Sequence, residues 1–140
     1  MDFLESIMDE NCCMTLTICG SYRNRELKEK YQAYYTTKYN LVLMPIKYLP
    51  IKEELVKTRE MELKNAEIMA KIHDKKIDLC DAIIVVTGDD GYYGFDTNRE
   101  ILTAKNKGKR ILLTHVNDHD RPKYYCNYDA NYPLYMLKED

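Results

Sequence analysis

The chain has 140 residues, 45% of them apolar and 31% charged, and carries a net charge of −2. That is the size and balance of one globular domain with a real core, and it offers no bulk attraction to a nucleic-acid backbone. No apolar run approaches the roughly 18 residues of a membrane span. The acidic segment 1–13 (MDFLESIMDENCC) has neither the basic stretch nor the apolar core of a signal peptide. A cytoplasmic location is therefore expected, with no membrane and no nucleic-acid polymer as partner.

Residues 1–13 read as an extension before the first strand. Residues 14–19 (MTLTIC) form a β-rich run that Gly20 ends. From 24 to 38, Leu27, Tyr31 and Tyr34 recur at the spacing of one helix face. Residues 41–44 read as a second strand, closed by Pro45. Pro50 precedes a long polar helix predicted over 51–79, with Met61, Ile68, Ile72 and Leu79 as its inner face. Residues 82–87 (AIIVVT) are the continuous apolar run of a fully buried strand. A helix over 97–107 has Thr97, Ile101 and Ala104 on one face and stops at Gly108. Residues 110–114 make a fourth strand.

This β-α-β-α-β-α-β alternation predicts a single α/β domain, flavodoxin-like or Rossmann-like, with a mainly parallel sheet flanked by helices. Its core spans about 14–114. The tail 115–140 is expected to add an edge strand, a short helix or, given Pro122 and Pro133, an irregular cover. The chain has thirteen tyrosines, and Tyr124, Tyr125, Tyr128, Tyr132 and Tyr135 crowd its last seventeen residues. Aromatics are poor components of disordered segments, so the tail is expected to pack, on its own sheet or at an interface. Cys12, Cys13, Cys19, Cys80 and Cys126 show no CxxC or other metal spacing, so neither a metal nor another cofactor is expected. Cys19 and Cys80 read as small core residues.

Ligands of open α/β sheets bind at the carboxyl ends of the strands. In the first such loop, Gly20 lets the backbone approach a ligand, and Ser21, Tyr22 and Arg23 bring a hydroxyl and a guanidinium to a helix start, which suits a phosphate or carboxylate. The alternative is a capping Ser21 and a solvated Arg23. The second loop, 45–50, carries no specific signal. In the third, 88–96, Gly91 and Gly94 permit unusual backbone conformations. Tyr92, Tyr93 and Phe95 can stack on a base or sugar, and Asp89, Asp90 and Asp96 make the loop acidic.

Glu100 has two readings. Thr97-Asn98-Arg99-Glu100 matches a capping box. Alternatively, Glu100 points into the pocket from the first helical turn, where the helix dipole favours its ionised form. A carboxylate there can attack an anomeric carbon or stabilise an oxocarbenium ion. Asp81 is expected to cap the preceding helix region or to pair with a base, and His73-Asp74 reads as part of an exposed polar face. His115 and His119 have no partner at a telling spacing.

Together the motifs resemble the nucleoside 2-deoxyribosyltransferase-like superfamily. Ile18-Cys19-Gly20-Ser21-Tyr22-Arg23 is similar to the first-strand C-G-S-x-R of the 2'-deoxynucleoside 5'-phosphate N-hydrolases. His73-x-x-Lys76-Ile77-Asp78-x-x-Asp81-Ala82-Ile83, Gly91-Tyr92-x-Gly94-x-x-Thr97-x-x-Glu100-Ile101-x-x-Ala104 and Gly108-Lys109 resemble small bacterial and phage proteins of that superfamily, whose loop reads G-Y-I-G-x-S-T-x-x-E-I. The resemblance covers about residues 14–114.

The resemblance implies that Glu100 is the nucleophile, that Gly20, Ser21 and Arg23 contact the nucleotide, and that Thr97 lies in the loop touching sugar or phosphate. It implies cleavage or transfer of the N-glycosidic bond of a nucleoside or nucleoside 5'-monophosphate, with His73 or Asp74 assisting departure of the base. A homodimer or higher homo-oligomer is implied as well. Three positions depart from the hydrolase pattern. Thr17 stands where those enzymes have tyrosine, His73 (with Asp74 adjacent) where they have a second catalytic carboxylate, and Asp96 where they have glycine. These departures suit an alternative, a non-catalytic SLOG-like binder of a nucleotide or NAD-derived signal, acting as sensor or sponge in bacterial or phage immunity.

Overall fold

The structure, a computed structural model, describes residues 1–45, 59–89, 91–127 and 129–138. The second loop beyond Pro45, the predicted first turns of the long helix at 51–58, Asp90 and Tyr128 lie outside the described residues. In chain order the elements are α1 (Phe3–Ser6), β1 (Thr15–Gly20), α2 (Arg25–Thr36), β2 (Leu41–Leu43), α3 (Arg59–Leu79), β3 (Ala82–Val86), α4 (Phe95–Asn106), β4 (Arg110–Leu113), β5 (Tyr124–Cys126) and β6 (Tyr135–Leu137). The strands form one sheet in the order β2-β1-β3-β4-β6-β5. The first four run parallel, while β6 is antiparallel to both β4 and β5. The protein is thus α/β, with a mixed, mostly parallel sheet and helices on both faces. Among the described residues, no helix is long and apolar enough to cross a membrane.

β3 is the centre of this arrangement because all five of its residues are buried. Side chains alternate across a strand. Ala82, Ile84 and Val86 therefore join one core with Phe3, Leu4, Ile7, Tyr31 and Tyr35 from the α1/α2 side. Ile83 and Val85 join a second with Cys19, Ile77 and Ala104 on the α3/α4 side. Each fully buried aliphatic side chain here contributes about 1.5–3 kcal/mol. Asp81 precedes β3, and among the described residues it neither caps a helix nor pairs with a basic group. Its Oδ2 accepts from the Thr15 amide at 2.8 Å, and its own amide donates to the Thr15 carbonyl at 2.8 Å, pinning the start of β1.

Several faces differ from the sequence reading. Segment 1–13 contains a helix, because the Asp2 carboxylate accepts from the Glu5 amide and so caps a turn that buries Phe3 and Leu4. In α2 the inward face is Lys28, Tyr31 and Tyr35, and Leu27 is exposed. Lys28 packs its aliphatic stem inward while its ammonium donates to the Gly20 carbonyl at 3.3 Å. In α3, Ile68, Ile72 and Leu79 are exposed, and His73 and Ile77 face the sheet instead; the side chain of Met61 is outside the described ones. In α4, Thr97 and Ala104 are buried as expected, and Gly108 ends the helix with φ +71°.

The tail builds onto its own sheet as the β5–β6 hairpin. Three tyrosines of α2 hold it. The Tyr31 hydroxyl donates to the Pro133 carbonyl at 3.2 Å, that of Tyr35 to the Tyr132 carbonyl at 2.7 Å, and that of Tyr34 to Asp129. Tyr34 also stacks on Tyr132, with ring centroids 4.2 Å apart.

Candidate functional site

β1 leads to α2 on one face of the sheet and β3 leads to α4 on the other, so a crevice opens between their carboxyl ends. Such a switch point is where α/β sheets take ligands. Gly20 ends β1 with φ +151°, and a Cβ there would meet the Val86 carbonyl oxygen at 2.8 Å, so only glycine lets the two strand ends approach this closely.

Three elements converge just below this point. Cys19 of β1, His73 of α3 and Glu100 of α4 bring their Sγ, Nε2 and carboxylate oxygens to within 4.8 Å of one another. His73 Nε2 lies 3.4 Å from Cys19 Sγ and 3.2 Å from Glu100 Oε2. An ionised carboxylate only accepts, so with Glu100 charged it is His73 Nε2–H that donates to it. His73 Nδ1 is buried and has no hydrogen-bond partner among the described residues. Burial, reinforced by the Glu100 charge, pushes the Cys19 thiol well above its ordinary range and keeps it protonated. Lys28 is lowered by burial, partly offset by Glu100 and Cys19.

His73 and Glu100, with Pro45, Ala66, Met69, Ala70, Asp96 and Arg99, line a cavity of about 330 Å³. That is at the lower end of small-molecule sites, roughly 300–1,000 Å³. A larger cavity of about 730 Å³ lies between α1, the last turn of α2 and the tail. It holds none of the converging groups, and its Tyr34 and Asp129 are bonded to each other.

The capping box does not form. α4 starts at Phe95 with Gly94 at its N-cap and no side-chain cap bond. Thr97 is therefore inside the helix and buried, and Glu100 stands in the second turn rather than the first. Little of the dipole acts there, because that effect fades within the first turn. Gly94 has an ordinary φ of −70°, whereas Gly91 uses its freedom at φ +82°. His73 is not part of an exposed polar face. Asp74 is not in the cavity lining itself, but its Oδ2 lies 3.5 Å from Nη1 of Arg99, which is.

The first loop forms a second group on the same side. Ser21 precedes a 3₁₀ turn, Tyr22–Asn24, and makes no side-chain capping bond. Arg23 is not simply solvated: its guanidinium lies 4.3 Å over the Tyr92 ring, joining the first loop to the third. Arg25 lies 5.1 Å over the exposed Tyr22 ring, and Phe95 is exposed. Thr17 is not in the cavity lining, and its hydroxyl donates to the Lys76 carbonyl at 2.8 Å. Cys19 and Lys28 are the site residues that sequence reasoning missed. Cys19 sits in a strand pattern that spacing alone assigns to packing, and Lys28 lies beside a helix face that spacing runs through Leu27 instead. No family model, curated protein or solved structure matches this chain.

Proposed function

We propose that the crevice cleaves or transfers the N-glycosidic bond of a nucleoside or nucleoside 5'-monophosphate. The observation carrying this reading is the Glu100–His73 pair, 3.2 Å apart on the wall of the 330 Å³ cavity. The parallel strand order 2-1-3-4 is compatible with a single flavodoxin-like domain, whose ligand point lies between β1 and β3.

In this reading a Glu100 oxygen attacks C1' of the sugar. The C1'–N bond breaks, its electron pair leaves with the base, and the base nitrogen takes a proton from solvent water. Water, or a second base in a transfer, then displaces the carboxylate from C1'. His73 orients Glu100, and Asp96 is the second carboxylate on the cavity wall. Ser21 and Arg23 hold the 5' end, while Tyr92 offers a stacking face. A second copy of the chain is part of the proposal: Ile68, Ile72 and Leu79 present an exposed apolar stripe on α3 for it to cover.

One observation favours binding without cleavage. Thr17 donates to α3, so it does not replace the tyrosine that the resembling hydrolases place at this position. The test is mass spectrometry of nucleosides, 5'-monophosphates, NAD and cyclic ADP-ribose isomers incubated with wild type and Glu100→Ala. Free base formed by wild type alone supports the enzyme. A single unmodified ligand retained by both supports the sensor or sponge.

A further inference from the structure

Cys19, His73 and Glu100 have a second property that N-glycosidic chemistry does not call for. Soft sulfur, imidazole nitrogen and carboxylate oxygen are the three donor types of zinc-class sites. They arrive from β1, α3 and α4, so the tertiary fold assembles them and no local sequence spacing records them. A tetrahedral ion with M–S of about 2.3 Å and M–N and M–O of about 2.0–2.1 Å sets S···N near 3.5 Å and N···O near 3.3 Å. The donors stand at 3.4 Å and 3.2 Å. His73 Nε2 has a single lone pair or a single hydrogen, yet faces both neighbours. One hydrogen bond serves only one of them well, whereas a cation satisfies all three donors together.

We propose that Cys19, His73 and Glu100 bind one zinc-class divalent cation, with the fourth coordination position open to the cavity that His73 and Glu100 line. Thiolate and carboxylate balance the dication, and the Cys19 proton is released to solvent on binding. Thiolate and imidazole select zinc, cobalt or nickel over magnesium and calcium. His73 Nδ1 finds no acceptor among the described residues. A bound ion occupies the Glu100 carboxylate and so suppresses its attack on C1'. This last consequence rests on the proposed function; the binding does not.

The experiment uses the full chain carrying Cys12→Ser, Cys13→Ser and Cys126→Ser, which removes the three exposed thiols and leaves Cys19 and Cys80. Cobalt(II) is followed by absorbance and zinc by calorimetry. The expected result is one ion per chain, a thiolate-to-cobalt charge-transfer band, and no competition from magnesium. The band disappears in Cys19→Ser, and affinity falls at least about tenfold in Glu100→Gln, a partly exposed site whose replacement keeps the fold. An unchanged band in Cys19→Ser, or no stoichiometric binding by the folded triple variant, overturns the proposal. Zinc binding without base release by the metal-free chain leaves the site standing and removes the enzymatic reading. Base release without zinc binding does the reverse.

Discussion

Replacing Tyr35 with Phe removes one oxygen from a ring that is fully buried. That oxygen donates to the Tyr132 carbonyl at 2.7 Å and accepts from Asn127 Nδ2 at 2.7 Å. The phenyl ring keeps its packing and no cavity opens, so the cost is that of two polar groups left without this partner. The buried Asn127 amide costs about 1–3 kcal/mol and the part-buried Tyr132 carbonyl about 1 kcal/mol, so the variant is expected to lose about 2–4 kcal/mol. At about 3 °C per kcal/mol for a domain of this size, Tm falls by about 6–12 °C. Tyr31→Phe is the comparison, because its hydroxyl donates over a longer distance, 3.2 Å to the Pro133 carbonyl, with the Thr114 hydroxyl as its other partner, and it should lose less, about 1 kcal/mol. Urea unfolding monitored by circular dichroism gives both values, and an unchanged m-value confirms that stability alone has moved. If Tyr35→Phe costs no more than Tyr31→Phe, the tail is not held to α2 in the way described.

Other outcomes follow from the same contacts. Gly20→Ala places a methyl 2.8 Å from the Val86 carbonyl oxygen at a strained φ, and a loss of about 1–3 kcal/mol is expected. A thermal melt within about 1 °C of wild type would contradict it. At alkaline pH the α2 tyrosines govern stability. Burial, with Asp129 close by, raises Tyr34 to about 12, and burial raises Tyr31 and Tyr35 further. Unfolded tyrosine ionises near pH 10, so the unfolded chain loses these protons first. The tyrosine contribution is complete below pH of about 10 and is lost as pH rises through 12 and beyond. A urea midpoint that stays level or rises over that interval is the contrary result. Size measurement in solution addresses the α3 stripe: a dimer or larger assembly that Ile72→Lys dissociates supports it, and a strict monomer removes it.

The strands were legible because a parallel strand between two helical layers must be apolar on both faces, as 82–86 is. Helix faces were less so. Lys28 replaces Leu27 in the core because a lysine stem is apolar and its ammonium has the Gly20 carbonyl to reach. His73 displaces Ile72 because it meets Cys19 and Glu100, partners 54 and 27 residues away that no helical periodicity reveals. The capping-box spacing at Thr97 and Glu100 was present, but Gly94 starts the helix two residues earlier than expected and carries Glu100 to the cavity wall. Glu100 was read from a motif and His73 from a resemblance. Cys19, the third member of the cluster, looked like any small residue of a buried strand.

In the proposed function Glu100 performs the chemistry in the crevice and His73 orients it. The direct measurement is base release by Glu100→Gln beside wild type, on the nucleotide that wild type turns over, with binding of that nucleotide measured separately. Retained binding and a loss of turnover on the order of 10³-fold or more are expected. Glu100→Gln that binds and releases base as wild type does would contradict it.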